Sequence, residues 1–66
     1  MRVFVNGKPV DLPESASVED LLRDAGLQGK PVAVEVNGSL VPKRLHAETR
    51  LREGDKAELV TLVGGG

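Results

Sequence analysis

With 66 residues, ten acidic and nine basic side chains, no cysteine and a formal charge of −1, the chain has room for one core, because a domain of this size buries only about 60% of its unfolded surface. The lack of cysteine removes disulfides as a source of stability and excludes thiol chemistry by the chain itself, and the near-neutral balance argues against a nucleic-acid binder, which carries a strongly basic face. No apolar run approaches the ~20 residues of a membrane span and the opening MRVFVNG is too short in apolar residues for a signal peptide, so a single soluble domain over residues 1–66, cytoplasmic and without a membrane partner, is expected.

Residues 2–6 and 9–12 flank Asn6-Gly7, a pair that tolerates the positive φ of a type I′ turn, so the chain is predicted to open with a β-hairpin. Pro13 ends the second strand. Ser17 then offers a hydroxyl cap, with Glu19 and Asp20 at the positive end of the helix dipole. Val18, Leu21, Leu22 and Ala25 recur at helical spacing, and Gly26 suits the left-handed residue that closes a helix, which predicts a short helix over 18–25. Residues 32–36 read as a strand that turns at Asn37-Gly38 into Leu40-Val41, where Pro42 ends the pairing. Residues 43–53 are charged and irregular, and Glu53-Gly54-Asp55 turns into a last strand over about 57–63.

The order β, β, α, β, short β, β supplies one amphipathic helix to cover one face of a small mixed sheet, an α+β roll. It is the order of the β-grasp (ubiquitin-like) fold, in which first and last strands lie parallel at the sheet centre. Period-two alternation leaves both of these strands apolar on both sides. If the helix covers Val3, Val5 and Leu59, then Phe4, Val60 and Leu62 stand on the open face, as a partner-binding surface or beneath the 43–53 segment.

Catalytic groups are sparse. His46 is the only histidine and lies in a polar segment without a second metal ligand, so it is expected to be a solvated loop residue. Ser15, Ser17 and Ser39 stand where turns and caps want hydroxyls. Acidic Glu48, Glu53 and Asp55 dilute the basic set Lys43, Arg44, Arg50 and Arg52. Neither a catalytic residue nor a metal site is expected. The chain closes on Gly64, Gly65 and Gly66, directly after the apolar LVTLV run. Three extended glycines span at most ~10 Å and, without Cβ atoms, can thread a narrow channel as a flexible tail. The carboxylate they carry is anionic at neutral pH and inert until a partner activates it.

These residues together resemble the ThiS family, the sulfur carriers of thiamine (thiazole) biosynthesis, and more distantly the ubiquitin-like β-grasp carriers. The likeness spans MRVFVNG, SVEDLLRDAGL, VAVEVNGSLVPKRL, LREGDKAEL and the terminal Gly65-Gly66. The resemblance implies a protein substrate rather than an enzyme. A ThiF-type adenylating enzyme would use ATP to turn the Gly66 carboxylate into an acyl-adenylate, and sulfur from a cysteine desulfurase would convert it to a thiocarboxylate. Thiazole synthase, ThiG, would consume that sulfur. Gly66 would then carry the sulfur, Gly65 and Gly64 would supply reach, and Phe4, Val60 and Leu62 would meet the partners. No permanently bound cofactor is implied, and the carrier is expected to be monomeric between encounters. The small subunit of molybdopterin synthase shares the fold and the terminal Gly-Gly, but its usual ending has a Pro-containing stretch where this chain has Thr61-Leu62-Val63-Gly64. A sulfur donor for tRNA thiolation, a ubiquitin-like modifier and a purely structural interaction domain remain alternatives on sequence alone.

Overall fold

Both Asn-Gly pairs turn the chain as their chemistry requires. Asn6 and Gly7 have φ of +50° and +84°, and Asn37 and Gly38 +51° and +85°, the left-handed pair of a type I′ turn, whose twist matches that of the strands it joins. The structure, a computed structural model, describes residues 1–62. The first turn joins β1 (Arg2–Val5) to β2 (Lys8–Asp11), and the second joins β3 (Val32–Val36) to β4 (Ser39–Val41). The last strand, β5 (Lys56–Thr61), begins one residue before its expected start, and Val63 lies outside the described residues.

The helix α1 (Val18–Asp24) is fixed at both ends by local chemistry. Ser17 and Asp20 form a reciprocal capping box: the Asp20 N–H donates to Ser17 Oγ at 3.1 Å and the Ser17 N–H donates to Asp20 Oδ2 at 2.9 Å. At the other end Gly26, at φ +74°, donates to the Arg23 carbonyl, and the Leu27 N–H reaches the Leu22 carbonyl. Together these make a Schellman closure. Ala25, expected on the buried face, is instead the exposed C-cap, because the chain must leave the helix there for Gly26 to close it.

The sheet order is β2-β1-β5-β3-β4. β1 and β5 run parallel at its centre, with Phe4 beside Lys56 and Val5 beside Ala57, and every other pairing is antiparallel. This is the β-grasp arrangement that the element order predicts. One face packs on α1 through Val3, Val34, Ala57 and Leu59 against Val18, Leu21 and Leu22, with Leu12, Ala16 and Leu51 closing the cluster. Full burial of a side chain such as Leu21 contributes about 2 kcal/mol.

The 43–53 segment does not cover the other face. Its first turn is a 3-10 helix, Lys43–Leu45, and its backbone then binds the helix side: the Glu19 N–H donates to the His46 carbonyl, the Val18 N–H to that of Thr49, and the Leu51 N–H to that of Ala16. Leu51 is the apolar anchor that the charged composition hides. Its burial draws the segment under α1 and leaves the far face of the sheet bare.

Candidate functional site

Residues of alternate parity on the central strands point away from α1, and the register maps them across the open face. Phe4, half-buried, has Pro9 of β2 on one side and Lys56 of β5 on the other. Further along β5, Glu58 faces Glu35 of β3, which in turn faces Leu40 of β4. Beyond that pair Val60 faces Ala33, and the Leu62 N–H continues the ladder by donating to the Pro31 carbonyl at 2.9 Å. Leu40, Val60 and Leu62 are the exposed large apolar side chains among the described residues, at 65%, 57% and 52%.

Phe4, Val60 and Leu62 therefore share the open face without forming one patch. Four residues of strand, about 13 Å, separate the level of Phe4 from that of Val60, and Lys56, Glu58 and Glu35 cross the gap as a charged belt. Alternation places residues on a face and says nothing of how far apart they lie. That separation follows from the parallel register of β1 against β5, and Leu40 joins the face through a hairpin register no single strand reveals.

The strand bearing Val60 and Leu62 is held by side chains that sequence reading assigns only to turns. The Asn6 carboxamide brackets Leu59, with Nδ2 donating to the Leu59 carbonyl at 3.2 Å and Oδ1 accepting from the Leu59 N–H at 2.8 Å. Asn37 Oδ1 accepts from the Lys56 N–H at 3.0 Å, its Nδ2 donates to Asp55 Oδ1 at 3.0 Å, and its own N–H reaches the Lys56 carbonyl at 2.7 Å. The Asn6 amide thus acts where a further strand residue would, taking both backbone groups of Leu59, and Asn37 Oδ1 stands in for a strand carbonyl at the Lys56 N–H.

His46 is buried, at 7% exposure, with Nε2 3.0 Å from the Val41 carbonyl oxygen. The expectation of a solvated loop residue fails because the 3-10 turn at Lys43–Leu45 swings the ring inward toward the end of β4. Its role is to tie two segments together. Arg50 is likewise engaged, donating from Nη1 to the Ser15 carbonyl at 2.9 Å. Asp11, across the hairpin from Arg2 at 2.9 Å, is held below its ordinary carboxylate pKa by that hydrogen bond and the guanidinium charge. Among the described residues no group of three His, Cys, Asp or Glu side chains is arranged to hold a metal, and no helix is long and apolar enough to cross a membrane. Gly64, Gly65 and Gly66 lie outside the described residues.

Comparison with known proteins places this geometry. Residues 2–66 match the model of the ThiS family. The "Sulfur carrier protein ThiS" of Bacillus subtilis (strain 168) is 36% identical over 63 residues, covering 94% of this chain and 96% of that protein. A "Thiazole synthase" of Paramagnetospirillum magneticum is 39% identical over 66 residues; the match takes in all of this chain and spans only 20% of that protein's length. The crystal structure of a thiamine biosynthesis protein, ThiS, from Geobacter metallireducens superposes with a TM-score of 0.84 at 35% identity, with both chains fully covered. With a family match over nearly its whole length and a similar fold in a solved ThiS structure, the chain belongs to the ThiS family.

Proposed function

We propose that the chain is a sulfur carrier for thiazole formation in thiamine biosynthesis, a protein substrate whose reactive group is the Gly66 carboxylate. The observation that carries this reading is the course of β5: a central strand, bonded on both sides as far as Leu59, whose last described residues present Val60 and Leu62 on an uncovered sheet face, shortly before Gly64-Gly65-Gly66 in the sequence. Membership of the ThiS family supports the following chemistry. A ThiF-type enzyme joins the carboxylate to the AMP portion of ATP and releases pyrophosphate. The resulting mixed anhydride is an acyl group that a persulfide can attack, dividing one hard step into two easier ones. A persulfide charged through a cysteine desulfurase displaces AMP to give an acyl disulfide at Gly66, and a thiol of the partner then attacks the partner-side sulfur, forming a disulfide and releasing the thiocarboxylate, with Gly64 and Gly65 giving the reach.

The thiazole synthase match supports the choice of acceptor. A protein of that name contains a stretch similar to the whole of this chain, which fits a carrier whose sulfur passes to a thiazole synthase such as ThiG. Phe4 at one end of the open face, and Val60 and Leu62 at the other, make the contact with both partners. ATP belongs to the adenylating partner.

Intact-mass analysis after incubation with a ThiF-type enzyme, ATP and a persulfide source tests the proposal. The expected product is the chain with one oxygen of Gly66 replaced by sulfur, and the same reaction fails on a chain lacking Gly66 whose melting temperature is unchanged. Full sulfur loading of the shortened chain, or no adenylate on the intact one, contradicts it.

A further inference from the structure

β5 is not held evenly along its length. On its β1 side the Phe4 N–H donates to the Asp55 carbonyl at 2.8 Å and the Asn6 N–H to the Ala57 carbonyl at 2.9 Å. There β1 ends, because Asn6 and Gly7 turn the chain toward β2. The next pair of β5 backbone groups on that side belongs to Leu59. It would be left without a strand partner, and both groups are taken by the Asn6 carboxamide instead. From Val60 to Leu62 the hydrogen-bonded pairs among the described residues are with the β3 side alone, Val60 opposite Ala33 and the Leu62 N–H on the Pro31 carbonyl. Asn6 therefore marks the boundary between a strand bonded from two sides and one bonded from a single side, one residue before the exposed Val60.

We propose that Asn6 is a positioning residue for the carrier reaction, and that its side chain, rather than its place in the turn, sets where the Val60–Leu62 segment is presented to the activating enzyme. This inference rests on the carrier reading above. Two properties of Asn suit it to both tasks. It tolerates the φ of +50° found here, and its amide carries donor and acceptor side by side, the pair that an extended residue's backbone presents. Glycine meets the first requirement and not the second. Aspartate keeps the acceptor for the Leu59 N–H and sets a carboxylate oxygen against the Leu59 carbonyl.

The physical consequence is local. Without the carboxamide β5 keeps its β3 ladder, but its final turn of pleat loses one wall, so Val60 and Leu62 sample more positions. A partner then has to order that segment as it docks, a cost that weakens association without altering the chemistry that follows. Asn37 is the internal control. It sits in the same type of turn, at φ +51°, and clamps the same strand, but at Lys56, the end remote from the tail. Asn6→Gly and Asn37→Gly each keep a turn that glycine accepts and each remove one clamp.

The experiment compares wild type, Asn6→Gly, Asn6→Asp and Asn37→Gly by amide hydrogen exchange on the isolated chain and by steady-state activation with a ThiF-type enzyme and ATP, well below every melting transition. Loss of the Asn6 clamp should lower protection of the Leu59 amide about tenfold, and raise KM about tenfold with kcat within about twofold. Asn6→Asp should follow Asn6→Gly, because it breaks the clamp while keeping the turn. Asn37→Gly should lose protection at Lys56 and keep the wild-type KM. The proposal is overturned if Asn6→Gly and Asn6→Asp retain the wild-type KM, or if Asn37→Gly raises it as much for the same loss of stability. A wild-type chain that the enzyme never activates overturns the carrier reading and Asn6's part in it, and the exchange profile still decides separately whether the carboxamide holds Leu59.

Discussion

Leu59 and Val60 are consecutive in one strand, yet Leu59 is 8% exposed and Val60 57%. The same contrast runs through the sheet. On the helix side Val3, Val34 and Ala57 meet α1 in a closed cluster, joined by Leu51 from a segment of mostly charged and polar residues. On the other side Val60, Leu62 and Leu40 are exposed, Phe4 is half-buried between Pro9 and Lys56, and Glu35 and Glu58 stand directly opposite one another, a like-charge pairing that costs a sheet stability. Apolar residues on the first side account for the existence of the fold. On the second they contribute little to it, and large exposed apolar groups on a small domain mark a surface that something else covers.

Stability measurements can break that division most directly. Leu21→Ala should cost about 3 kcal/mol, from lost transfer energy and the cavity left behind. Leu62→Ala should stay within about 0.5 kcal/mol of wild type in urea unfolding. Comparable losses from the two would mean that the open face belongs to the core after all. A smaller effect sharpens the contrast on the helix side. Asp20 is held below its usual carboxylate pKa by hydrogen bonds from the Ser17 backbone and hydroxyl, aided by Arg23. Its folded pKa lies below the unfolded one, so its contribution is complete above the unfolded value near 3.8 and fades as pH falls through the folded one. The stability gap between wild type and Asp20→Asn should therefore be steady from pH 7 to about 5 and close toward about pH 2. Sulfur loading at pH 7 should not change. A gap that persists at low pH would assign the effect to shape rather than charge.

Much of this was legible in the sequence because the signals were local. Asn-Gly pairs, a Ser-x-x-Asp cap and a Gly after the last helical turn each act within a few residues, and each formed the structure its chemistry requires. Alternation likewise assigned Phe4, Val60 and Leu62 to one face. What stayed hidden depends on register and on distant partners. His46 looks solvated in the sequence because its burial depends on a 3-10 turn with no strong sequence mark. The spacing between Phe4 and Val60 comes from how β1 lies against β5. Asn6 and Asn37 are obvious as turn residues, and their second task, holding β5, arises only once a strand some fifty or twenty positions away returns beside them.

On the carrier reading, the uncovered face serves recognition and the covered one folding. The most direct test is the Phe4→Ala, Leu62→Ala double variant, shown to be folded by its amide spectrum, in ATP-dependent adenylation by a ThiF-type enzyme. One substitution falls on each side of the charged belt. The account predicts a fall in kcat/KM of about a hundredfold, as expected when two apolar anchors are each truncated. Adenylation and sulfur loading at wild-type rates would contradict it.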